Sequence, residues 1–107
     1  MNLHTVFLFF QSQGLLIHLF PFFLRGLVYV YKHKCNNDSI EDAFFEYLRI
    51  HNPQVYNLVL RSTDKLKLIN DQRERLLSKG VFTVLWGESL YPKDFYALSD
   101  APLIFSV

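Results

Sequence analysis

Lys79-Gly80-Val81-Phe82-Thr83-Val84-Leu85-Trp86-Gly87-Glu88-Ser89-Leu90-Tyr91-Pro92, continued by Lys93-Asp94-Phe95-Tyr96-Ala97-Leu98-Ser99-Asp100-Ala101-Pro102-Leu103-Ile104-Phe105-Ser106-Val107, is the stretch that decides the fold. Gly80 suits the left-handed position that stops a helix. Val81 to Trp86 is dense in β-branched and aromatic residues, which favours a buried strand over another helix. Gly87-Glu88-Ser89 reads as a turn. Tyr91 precedes a proline and is pushed toward extended backbone. Pro92 then presets the first turn of a short helix, with Phe95, Tyr96 and Leu98 expected to face inward. Ser99-Asp100-Ala101-Pro102 ends it, and Leu103-Ile104-Phe105 begins a second strand. Helix, strand, short helix, strand is the order of an α/β layer, whose strands are often parallel. Two strands alone leave an edge open, so the segment asks for further strands from more sequence or from a partner chain.

Upstream, residues 38–80 carry clear helix punctuation. Ser39 can cap a helix, with Asp42 three positions on as a variant capping box. Ile40, Phe44, Tyr47, Leu48 and His51 follow at helical spacing. Asn52-Pro53 ends that helix and starts another, because proline is tolerated at a first helical position. Ser62 or Asp64 can cap a third helix running to about Lys79, with Leu66, Ile69, Leu76 and Leu77 as its buried stripe. Its other positions mix Lys65, Lys67, Arg73 and Arg75 with Asp71 and Glu74, the pattern of a solvated face rather than a phosphate-binding one.

The front end is harder to place. Asn2 to Leu24 holds no formal charge, and Arg25, Lys32 and Lys34 are the only charged residues before Asp38. About 20 apolar residues suffice to cross a bilayer, and the basic flank would leave the rest of the chain in the cytoplasm. Gln11, Ser12, Gln13, Gly14 and His18 interrupt the run, and Pro21 breaks it again. The competing reading is a pair of core helices, about 3–13 and 22–33. A third is a start codon placed too early. The start lacks the basic residues and small-residue cleavage site of a signal peptide.

Composition bounds the rest. With 107 residues, 50% of them hydrophobic, the chain makes one domain or part of one and is no disordered tail. A formal net charge of +1 gives no general nucleic-acid surface. Cys35 is the single cysteine, which excludes an internal disulfide and leans toward a reducing compartment. Gly14, Gly26, Gly80 and Gly87 are isolated, so there is no phosphate loop. His33 and Cys35 lack further ligands for zinc. Glu88, Ser89, Asp94 and Asp100 cluster around the turn, where a carboxylate pair could work but capping explains them equally. Trp86, Tyr91, Phe95 and Tyr96 could stack on bases, although their spacing fits packing better. No catalytic residue, metal ligand or cofactor is assigned, and the expectation is a protein that is not an enzyme.

Residues 65–107 resemble the entrance to the Rossmann-like domain of the DNA-processing protein A family (DprA, or Smf). The matching positions are Gly80 at the helix stop, Tyr91-Pro92, Phe95, Leu98, Asp100-Ala101-Pro102 and the strand Leu103-Ile104-Phe105. Phe95 stands where leucine is usual, Ala101 replaces the first of two prolines, and Trp86-Gly87-Glu88 matches the family's Gly-Asp step loosely. The resemblance implies an α/β fold: an apolar segment at 1–37, a helical region at 38–80, and the first strand-helix-strand of a Rossmann-like domain at 81–107, cut short there. It implies a cytoplasmic bacterial protein that binds single-stranded DNA in natural transformation and recombination and helps load a RecA-type recombinase. The family's DNA-contacting and glycine-rich segments follow this region, so none of their residues is assigned here. Other expected partners are a second copy of the chain and, under the alternative of a small inner-membrane-anchored interaction protein with a cytoplasmic helical tail, the bilayer.

Overall fold

The structure, a computed structural model, describes residues 2–32, 39–98 and 101–107. Among them the chain is mostly helical with one small sheet. The apolar front end forms α1 (Leu3–Ser12), α2 (Leu15–His18) and α3 (Phe20–Lys32). Asn2 caps α1, its side chain accepting from the His4 N–H at 2.7 Å. Gly14, at φ 73°, turns the chain between α1 and α2. Pro21 is absorbed in the first turn of α3, where its missing N–H costs nothing. No helix among the described residues is long and apolar enough to cross a membrane.

α4 (Ile40–His51), α5 (Pro53–Arg61) and α6 (Thr63–Ser78) follow the punctuation of the sequence. The Ser39 hydroxyl accepts from Asp42 N–H at 3.0 Å, and Asn52 caps α5 through Val55 N–H. Ser62 occupies the cap position of α6 but makes no side-chain cap bond. Three positions on the expected helical stripes prove exposed. His51 is exposed at the end of α4, with its ring against Tyr47. Leu76 and Leu77 are about half exposed, because α6 packs chiefly on α1 and only a narrow stripe around Leu66 is covered.

The core is built around phenylalanines from the front end. Phe10 stacks on Phe23 with centroids 4.6 Å apart. Phe7 meets Phe10 and Phe23 edge-on and lies 5.3 Å from Phe44 of α4. All four are fully buried. Each such pair adds about 0.5–1.5 kcal/mol beyond area burial. Leu48, Val59, Leu66, Leu85 and Ile104 extend the same cluster to the other helices and the sheet.

β1 (Thr83–Leu85) and β2 (Ile104–Ser106) form a two-stranded sheet on α1. The strands are shorter than the apolar runs suggested, and they are antiparallel, with Thr83 opposite Ser106, Val84 opposite Phe105 and Leu85 opposite Ile104. Parallel pairing needs a crossover, normally an α-helix lying across the sheet. Among its described residues the connection here contains a five-residue 3₁₀ helix, Lys93–Ala97, and no crossover helix, so the chain doubles back instead.

Candidate functional site

The described residues on which the family expectation rests fall into two groups. Gly80 ends α6. At φ 85° it lets its own N–H bond Leu77 O at 3.0 Å while Val81 N–H bonds Leu76 O at 2.9 Å. Those two bonds are the Schellman closure, and they aim the chain from α6 into β1.

The second group lies between the strands. Glu88 N–H bonds Leu85 O and Tyr91 N–H bonds Glu88 O, so two successive turns carry the chain from β1 to Pro92. The first needs Gly87, whose φ is 94° and whose missing Cβ leaves room for the ring of Tyr31. Pro92 is extended and stands just before the 3₁₀ helix rather than in its first turn. Tyr91 is buried, and its hydroxyl donates to Pro102 O at 2.7 Å. Its ring contacts Phe95, Tyr96 and Phe105 at 4.9–5.8 Å, and Tyr96 meets Trp86 edge-on. Burial, then Tyr96, push the Tyr91 phenol above its ordinary range. These aromatics pack on one another.

The expected inward trio of the short helix is corrected. Phe95 is half-buried, whereas Tyr96 and Leu98 are exposed. A single turn of 3₁₀ helix cannot turn three of four neighbouring residues to one side. Asp100 lies outside the described residues, as do His33 and Cys35. Asp94 is exposed and Glu88 points away to α1, so these two carboxylates share no site. Among the described residues no three His, Cys, Asp or Glu side chains gather as metal ligands.

No protein-family model matches this chain, and no curated protein or solved structure matches it.

One cluster escaped the sequence. His4 Nδ1 lies 2.6 Å from Thr83 Oγ1, and its Nε2 lies 2.9 Å from Glu88 Oε2. The other Glu88 oxygen accepts from Leu85 N–H at 2.7 Å. The His4 side chain is 17% exposed and that of Glu88 39%. Four residues before Leu8 on α1, His4 falls on the face that meets the sheet. In the sequence it read as one of four scattered histidines, since Thr83 and Glu88 are some eighty positions away.

Proposed function

We propose that this chain supplies the helical region and first strands of a DprA/Smf-like DNA-processing protein. The complete protein would bind single-stranded DNA through groove electrostatics and backbone contacts and help load a RecA-type recombinase; that role needs no turnover. The observation that supports the reading is the bond from Tyr91 OH to Pro102 O. It joins the Tyr-Pro step to the Asp-x-Pro step, and so gives two motif positions that are distant in sequence one structural purpose. Tyr91 clasps the segment leading into β2, and Pro92 fixes the approach to the clasp.

The Rossmann-like character of the sheet is part of the same proposal. Antiparallel pairing weighs against a purely parallel layer, but doubly wound sheets often carry one antiparallel edge strand, the place one of β1 and β2 would take. No residue of this chain is assigned to DNA. Reading the genomic frame past Val107 tests the proposal. A glycine close behind, a further strand and a Gly-Ser/Thr-Arg-like loop are expected. An intact locus with a stop codon and no remnant of such a loop overturns it.

A further inference from the structure

The hydrogen-bond chain through His4 has a direction set by its donors and acceptors. As a carboxylate, Glu88 can only accept. Its Oε1 takes Leu85 N–H, and its Oε2 faces His4 Nε2. Nε2 therefore carries the proton. In a neutral imidazole that leaves Nδ1 as a lone pair, so at 2.6 Å the Thr83 hydroxyl must be the donor. Hydroxyl to imidazole to carboxylate is the polarity of an activated nucleophile with its base and the group that orients the base. The two ring nitrogens exchange the places they hold in serine proteases, which leaves the proton path unchanged.

The hydroxyl also borders space for a substrate. Thr83 and Ser106 face each other as a non-hydrogen-bonded cross-strand pair, the kind whose side chains lie closest. The parity follows from the flanking bonds, Phe82 with Val107 and Trp86 with Leu103. Both residues line a cavity of about 250 Å³ whose other walls include Leu8, Ile69, Leu76 and Arg73. The walls are largely apolar, with one cation. Arg73 donates to Asn70 Oδ1 at 3.2 Å, which holds its guanidinium beside the cavity.

We propose that Thr83 is an acyl-accepting nucleophile and that this cavity takes a short-chain carboxylic ester. Thr83 Oγ1 forms a bond to the acyl carbon while its proton passes to His4 Nδ1. Arg73 faces the negative charge on the carbonyl oxygen. The carbon–alkoxy bond breaks, and the alcohol leaves with the proton returned from His4. Water then attacks the threonyl ester, His4 takes and returns a second proton, and the carboxylic acid departs with Thr83 restored. Glu88 is a positioning residue acting through His4. The proposal is independent of the DNA-processing reading, which gives this chain no chemistry.

The full chain should be treated with phenylmethanesulfonyl fluoride and, separately, assayed with p-nitrophenyl butyrate. A single sulfonyl adduct on the peptide containing Thr83 is expected, together with ester cleavage above an equimolar imidazole blank. Thr83→Val and His4→Gln should each lower cleavage at least ~100-fold, in line with the worth of a positioned base. Thr83→Ser should retain cleavage and keeps the test decisive if Thr83→Val fails to fold. Glu88→Gln should lower kcat with KM unchanged, a split that loss of packing alone would not give. The proposal is overturned if no adduct forms on Thr83. It is equally overturned if cleavage survives Thr83→Val, for then another group is the source. Changes confined to melting temperature would make the network a latch between α1 and β1.

Discussion

Tyr91 and Tyr31 show what single hydroxyls do in this protein. Tyr91→Phe keeps the ring in its aromatic nest but removes the hydrogen bond from the phenol to Pro102 O. A bond of this kind is worth about 0.5–1.5 kcal/mol, so the unfolding free energy from urea titration should fall by that amount, read as a lower midpoint with the m-value unchanged. Tyr31 lies over Gly87, and burial, followed by the charge of Glu88, raises its pKa from 10.0 to about 12. Between those values the folded state holds a proton that the unfolded chain has released. Stability is therefore full below pH 10 and falls as the pH climbs toward about 12. Tyr31→Phe should flatten that fall in denaturation curves taken across the window. Gly87 could be picked out from sequence as a turn residue, because the conformational freedom of glycine is a local property. His4 could not, because a lone histidine means nothing until the residue opposite it is known.

Helix boundaries were the most legible elements. Ser39, Asn52-Pro53 and Gly80 each act within a few residues of their own position, so no tertiary knowledge is needed to read them. Gly80→Ala tests this directly. A Cβ there meets nothing within 4 Å, so its whole effect is the strain of φ 85°. The expected loss is about 1 kcal/mol, read as a lower melting temperature with unchanged core packing. Strand direction was not legible. Apolar runs at 81–86 and 103–105 are the same for either pairing, and the choice rested on whether the residues between them formed a crossover helix. Gly87 and Pro92 instead give turns and one 3₁₀ segment, which return the chain antiparallel. Leu98 likewise reads as a core residue by composition, yet it is exposed beyond the last turn.

At the scale of the whole molecule, the core depends on the front end. Phe7, Phe10 and Phe23 sit at zero exposure, and Phe7 packs on Phe44. Phe10→Ala removes one ring of the stacked pair and should cost about 3–5 kcal/mol. The expected readout is a large drop in unfolding free energy and increased binding of a hydrophobic dye. A surface-like response within about 0.5 kcal/mol would mean that these helices do not form the core. By itself the sequence determined the caps at Ser39 and Asn52, the helix between them, the helix stop at Gly80 and the presence of two short strands. Each of these follows from short-range sterics and backbone hydrogen bonding. Only the tertiary structure decided that the apolar run breaks at Gly14 into short helices, that the strands lie antiparallel, and that His4 meets Thr83 and Glu88. Hydrophobicity says that a segment must leave water, but not against what. That answer comes from the apolar faces and polar partners brought to it from elsewhere in the chain.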